Sequence, residues 1–167
     1  SLLAKTYYGA DETRALPAET VGVHGTGGIY ATASDLAAFG GAVFCEDGIL
    51  SADAIAASMA DEYARGIWPE DTEDVVSYGL GWDNMEWYPF CQSDIQALVK
   101  GGDTLYYHAG LVVLPEYDMA AAVVSSGGVS TYDQLAANQI LIAALAEEGI
   151  TARTGRPFSL PGLRELL

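Results

Sequence analysis

Between Ile95 and Val124, three runs rich in Val, Leu, Ile and Tyr follow one another with only turn-forming residues between them. This feature constrains the fold more than any other. The first run, Ile95 to Lys100, ends at Gly101-Gly102. The second covers Leu105 to Leu114, and Pro115-Glu116-Tyr117-Asp118 carries turn chemistry. The third, Met119 to Val124, ends at Ser125-Ser126-Gly127-Gly128. Parallel neighbours need a crossover of a dozen residues or more, so connections this short dictate an antiparallel meander. A helix is expected next, from Ser130 or Thr131. Gln134 stands three residues after Thr131, as a capping box requires, and Gly149 is a natural stop. Leu135, Ile142 and Leu145 mark its buried stripe.

Upstream, Thr32-Ala33-Ser34-Asp35 has the chemistry of a helix start. Leu36, Phe39, Val43 and Phe44 recur at helical spacing up to Gly48. Ser51 opens a second, shorter helix with Ile55 and Met59 on one face. Residues 61–77 read as an acidic loop, and Tyr78-Gly79-Leu80-Gly81-Trp82 as a short strand. Helices, three adjacent strands and one long helix make an α+β layout, with an antiparallel sheet and flanking helices. A length of 167 residues suits one domain. Within it, 1–24 is an irregular N-terminal segment, 25–149 the folded part, and 150–167 an extension or linker containing Gly155, Pro157, Pro161 and Gly162.

Seven basic against 23 acidic residues give a net charge of −16. Such a surface repels nucleic-acid backbones and anionic membranes, and serves solubility. No apolar run approaches the ~20 residues of a membrane span, and Ser1 to Lys5 lacks a signal-peptide pattern. Cys45 and Cys91 have no metal-ligand spacing, and either pair or stay separate thiols. No metal or cofactor is expected. The acidic pairs Asp61-Glu62, Glu70-Asp71 and Glu73-Asp74 do not follow calcium-loop spacing, and read as a solvated loop. Gly25-Thr26-Gly27-Gly28 lacks the residues of a phosphate loop, and reads as a tight turn. His24 reads as a loop residue, His108 as a packed or edge residue, Ser93-Asp94 as a turn, and the aromatics Trp82, Trp87, Tyr88, Tyr106 and Tyr107 chiefly as core.

Several segments together resemble one family. Gly27-Gly28-Ile29-Tyr30-Ala31-Thr32-Ala33-Ser34-Asp35-Leu36-Ala37-Ala38-Phe39 is similar to a glycine-pair, aromatic and helix-start segment of serine β-lactamase-like, penicillin-binding domains, in the class C β-lactamase and D-aminopeptidase/esterase branch. Tyr78 to Trp82 resembles that branch's Tyr-Gly-Leu-Gly-Trp segment. Lys100-Gly101-Gly102 stands where the family carries Lys-Thr-Gly or His-x-Gly. Leu111 to Glu116 and Val123 to Gly127 resemble the strands that follow, so the likeness runs over about 25–149, the family's C-terminal part. The resemblance implies acyl transfer, in which a serine attacks a carbonyl and the acyl-enzyme is then released by water or an amine. It casts Lys100 as the cation for a substrate carboxylate and the Asp103 backbone N–H as the oxyanion donor. Gly101, Gly102 and Thr104 would contact the substrate along the strand edge. It also implies an exported, periplasmic or cell-surface parent.

The departures are equally specific. The only lysines are Lys5 and Lys100, preceded three positions earlier by Leu2 and Ala97, so Ser-x-x-Lys does not occur. No tyrosine has Asn two positions on, Gly101 replaces the threonine of the triplet, and Asp103 sets a carboxylate beside an anion-binding edge. Two functions are expected from this. The first is the C-terminal fragment of a serine hydrolase acting on a β-lactam, D-amino-acid peptide or ester, inactive alone and completed by an upstream half of the domain in cis or as a separate chain. The second is a non-catalytic relative binding a peptidoglycan-type ligand or a protein partner. A lone fragment is expected to retain that upstream partner, self-associate or repack, because its strand edge and apolar faces are left uncovered.

Overall fold

The computed structural model describes residues 3–8, 14–20, 22, 25–44, 48–62, 77–127 and 130–149. Expectations for His24, Cys45, the acidic pairs at 70–71 and 73–74, and 150–167 fall outside that set.

Three strands form the expected meander: β3 (Leu98–Asp103), β4 (His108–Leu114) and β5 (Met119–Ser125), in the order β3-β4-β5 and antiparallel throughout. Pro115–Tyr117 makes the tight connection from β4 to β5, and Asp118 adopts a left-handed φ of 51° there, a conformation Asp tolerates better than most residues. Side chains alternate between two faces. Val99, Val112, Leu114 and Ala121 pack on one side with Ala137, Leu141, Ile142 and Leu145 of α3 (Ser130–Glu147). Leu98, Leu111 and Val113 pack on the other, with Trp82, Met85 and Phe44. There α1 (Ala33–Phe44) crosses the sheet and α2 (Ala52–Ser58) follows it. The result is a helix–sheet–helix stack, an α+β fold.

Each helix start has its own chemistry. At α1, Thr32 Oγ1 accepts from the Asp35 amide, and the Asp35 carboxylate accepts from the Thr32 amide and hydroxyl. This is a reciprocal cap. At α2, Ser51 Oγ accepts from the Ala54 amide. The α3 helix starts at Ser130, so Thr131 lies inside it instead of capping it.

Glycines set how closely the layers approach. Gly101 and Gly110 face each other across β3 and β4. A Cβ at Gly110 would collide with the Gln134 amide nitrogen and the Asp133 carbonyl carbon, and one at Gly101 with the Gln134 side chain and Ser130 Oγ. The first turn of α3 therefore lies directly on bare backbone. This explains why β3 runs through Gly101-Gly102 to Asp103 although glycine weakens strands, and why the expected strand end at Lys100 is three residues short. On the opposite face, Gly40 lets α1 down onto Leu111, Val113 and Ala120.

Residues 78–82 are a turn bridged at Gly79 and Trp82, with Gly81 at φ 84°, where a strand was expected. From it the chain runs along the outer edge of β3, with Asn84 bridging Val99 and Glu86 bridging Ala97. Trp87 Nε1 donates to Asn138 Oδ1, and Asn138 Nδ2 to the Tyr88 carbonyl, so a fully buried amide ties this run to α3. The N-terminal pairing of β1 (Tyr7–Tyr8) with β2 (Arg14–Ala15) stands apart from the main sheet.

Replacing Gly110 by alanine is expected to lower unfolding stability by about 3 kcal/mol, the upper part of the range for overpacking, because the colliding atoms are helix backbone. Urea denaturation measures it. A change within about 0.5 kcal/mol, typical of neutral surface sites, would contradict this close approach.

Candidate functional site

Hydrogen-bond direction alternates along a strand, and β3 is the edge strand of its sheet. The Val99 amide points outward and donates to the Asn84 carbonyl at 2.8 Å; the Gly101 amide points outward and donates to Asp83 Oδ2 at 2.7 Å. The Thr104 amide points inward, to the Tyr107 carbonyl on the β4 side. By the same alternation, the Asp103 N–H points outward, two residues or about 6.6 Å beyond that of Gly101. Among the described residues, the chain covering the outer edge bridges β3 no further than Val99.

Lys100 lies on the α1 face of the strand. Its Nζ contacts Asp83 Oδ1 at 2.9 Å and Oδ2 at 3.1 Å and also donates to the Gly101 carbonyl, with 47% of the lysine and 42% of the aspartate side chain exposed. A single carboxylate thus neutralises the ammonium and occupies the Gly101 amide. Ion pairs this exposed contribute roughly 0–1 kcal/mol to stability, so the pair matters through the charge it cancels at the edge. Gly102 has open space where a Cβ would be.

Below the same face lies an open apolar cleft of about 200 Å³, bounded by Phe39, Val43, Leu50, Leu80, Trp82 and Lys100. Phe39, Leu50 and Leu80 are partly in water, and Trp82 is a buried wall stacked obliquely on Phe44.

The Asp103 side chain turns to the opposite, α3 face. Its Oδ1 accepts from the Ser130 amide at 2.8 Å and from His108 Nδ1 at 2.7 Å, and its Oδ2 from Ser130 Oγ at 2.6 Å. An ionised carboxylate only accepts, so His108 carries its proton on Nδ1 in this contact. The carboxylate caps α3 from another element and benefits from the positive end of the helix. The Ser130 hydroxyl bond, with the His108 and Ser130 amide bonds, holds the Asp103 carboxyl below its usual range against the opposing effect of partial desolvation. Nearby, burial pushes Asp133 up although Ser125 Oγ donates to it at 3.0 Å. The cluster is not a nucleophile triad. Its aspartate stands between serine and histidine, and a serine activated by histidine needs the imidazole in the middle.

Thr104 closes the β3–β4 loop: its Oγ1 accepts from the Tyr107 amide at 2.9 Å and donates to the Tyr107 carbonyl at 3.1 Å. Glu19 crosses to the same loop and accepts from the Leu105 and Tyr106 amides, each at 3.1 Å. Thr6 Oγ1 donates to the Tyr106 carbonyl, and Tyr107 Oη to the Ala4 carbonyl. The N-terminal segment is therefore held at the end of the sheet where β3 stops.

The structure brings Lys100, Gly101, Gly102, Asp103 and Thr104 together on one strand and its loop. Lys100 and Gly101 meet Asp83, whereas Thr104 bonds its own loop. Sequence reasoning missed Asp83, Ser130 and Glu19 as partners. No spacing rule links Asp83 to Lys100, and only the bridge between Asn84 and Val99 reveals it. His108 is buried, as a packed histidine should be. Ser93 ends a 3-10 helix (Phe90–Ser93) where a turn was expected, with Asp94 as its left-handed cap, and the glycine segment at 25–28 turns, with φ of 87° at Gly25 and 89° at Gly28. Cys91 is a free, exposed thiol. Among the described residues, no group of three or more His, Cys, Asp or Glu is placed to hold a metal, and no helix is long and apolar enough to cross a membrane.

The lowered Asp103 carboxyl fixes the sign of a pH effect. Its stabilisation is complete above the ordinary aspartate value of about 3.9 and is lost as pH falls through the lower folded value. Asp133 works oppositely, favouring the folded state as it takes up a proton. Asp103→Ala is expected to cost about 1–2 kcal/mol at pH 7, the range for a lost helix cap. The gap from wild type should narrow toward pH 3, because below about 3.9 the unfolded carboxyl takes up its proton before the folded one does. Thermal denaturation at both pH values measures it; an equal gap at the two would contradict the assigned role.

A family model described as Beta-lactamase matches residues 2–145, taking in the N-terminal segment, the edge strand and most of α3. Searches of curated proteins and of solved structures give no match. The matched stretch covers most of the 167 residues, and the chain belongs to the Beta-lactamase family, whose domains are of serine-hydrolase type.

Proposed function

We propose that this chain supplies the substrate-binding wall of a serine acyl-transfer site whose attacking serine and proton-accepting lysine come from residues outside these 167. The observation that carries the reading is the outward N–H of Asp103. It stands at the end of an edge strand that no described residue pairs with beyond Val99, while its carboxylate is held away on the opposite side by Ser130 and His108. A backbone donor fixed in this way suits an oxyanion, because it is oriented before negative charge develops.

In the proposed reaction, the serine oxygen bonds to the carbonyl carbon and the carbonyl oxygen becomes anionic against the Asp103 N–H. The carbon–leaving-group bond then breaks, and the serine proton passes through the base to the departing amine or alkoxide. Water returns the carboxylic acid and the free serine. The residues of this chain bind, orient and stabilise charge, and none of them transfers the acyl group. Leu105 is 74% exposed and Phe39 51%, both beside this edge, and these uncovered apolar groups support a further part of the domain packing there. D-amino-acid peptides, β-lactams and esters share the required carbonyl.

A second reading, a binding module without turnover, draws on the missing hydroxyl at Gly101 and on the neutralised Lys100. Labelling the complete polypeptide with a fluorophosphonate and a fluorescent penicillin, then mapping the modified residue, separates the two. A labelled serine outside this chain with a lysine three positions later, and no p-nitrophenyl ester hydrolysis by the purified 167 residues alone, is the expected result. Absence of any labelled serine would favour the binding module. Saturable hydrolysis by the isolated chain would overturn the division of labour.

A further inference from the structure

We infer that Asp83 is a specificity-determining residue that occupies, from within the chain, the place a substrate carboxylate would take on this edge, and so directs the site toward ligands that are uncharged there. The inference rests on the reading of the β3 edge as a substrate wall.

The contacts of Asp83 are those a carboxylate ligand would make. One oxygen accepts an outward strand amide, that of Gly101, at 2.7 Å, and both oxygens lie within 3.1 Å of the Lys100 ammonium. Cation and amide together form a carboxylate-binding pair, and it is filled by a group tethered to the same strand edge through the Asp83 amide, which donates to the Val99 carbonyl at 2.9 Å. A tethered group competes at a high effective concentration. An incoming carboxylate must therefore displace it, or approach an edge where the Lys100 ammonium is already matched. The overall charge of −16 adds to the penalty. Gly101, having no side chain, offers no hydroxyl as an alternative anchor.

What the edge presents instead is the apolar cleft beside Lys100, walled by Phe39, Leu50, Leu80 and Trp82. It accepts an apolar group without any counter-charge. The favoured substrate class is thus a neutral ester or amide carrying an apolar group, ahead of one with a free carboxylate next to the reacting carbonyl.

The test uses the complete polypeptide, with two near-isosteric probes of different charge, phenylacetamide and phenylacetate, followed through the Gly101 and Asp103 amide resonances. Wild type is expected to bind phenylacetamide more tightly than phenylacetate. Asp83→Ala should gain at least tenfold in phenylacetate affinity with little change for phenylacetamide. Asp83→Asn keeps an acceptor for the Gly101 amide while removing the charge; it should gain in the same direction, and it guards against local unfolding in the alanine variant. If phenylacetamide shifts both amides but neither variant gains affinity for phenylacetate, the role of Asp83 falls while the substrate-wall reading stands. If neither probe moves either amide in any of the three proteins, the wall reading falls with it. Equal binding of both probes to wild type would also overturn the inference.

Discussion

The closeness of α3 to the sheet is the constraint from which the rest of the site follows. Gly101 and Gly110 remove the side chains that would hold the helix off, and the first turn of α3 lies on bare strand backbone. Only at that distance can the Ser130 amide and hydroxyl reach the Asp103 carboxylate. Once they do, the last residue of β3 is fixed on both sides. Its side chain caps a helix, and its backbone N–H is directed to the outer edge. Helix packing, a capping interaction and the direction of one strand amide are a single arrangement. The cores on the two faces, each built from fully or nearly fully buried Val, Leu and Ile side chains worth about 1.5–3 kcal/mol apiece, hold the layers in register around it.

Charge at the edge is arranged with the same economy. The carboxylate of Asp103, which in sequence stands beside a supposed anion site, faces helix amide, hydroxyl and imidazole donors on the far side of the strand. The carboxylate that does stand at the edge is that of Asp83, where it cancels Lys100. The strand therefore offers a backbone donor with little net charge around it. Such an edge suits charge that develops during a reaction better than charge carried in by a ligand. Glu19 has a parallel role at the loop. Its carboxyl is held below the usual range by the Thr104 hydroxyl and by the Leu105 and Tyr106 amides, and it ties the N-terminal segment to the end of the sheet.

The meander was legible because its connections are too short for any other strand order, and α1 and α2 because Thr32, Asp35 and Ser51 carry local capping chemistry. The limits of β3 were not, since Gly101-Gly102 read as a strand end until the helix lying on Gly101 is seen. The segment at 78–82 has strand-like residues, yet Gly81 takes a positive φ and turns the chain along the β3 edge. The start of α3 at Ser130 was legible, but its cap was not, because part of it comes from Asp103, 27 residues earlier, and no local pattern reports a partner so distant. That Lys100, Gly101, Gly102 and Asp103 lie side by side was legible because they are consecutive on one strand. Asp83 was not, because its contact with them depends on the pairing of Asn84 with Val99.

Amide hydrogen exchange along β3, read residue by residue, tests the central arrangement most directly. The amides of Lys100 and Gly102, directed at β4, and that of Gly101, held by Asp83, should be protected, while the Asp103 amide between protected neighbours exchanges close to the unprotected rate. Protection of Asp103 equal to that of Gly102 would mean that its N–H is already engaged, and the strand would then have no open donor to present.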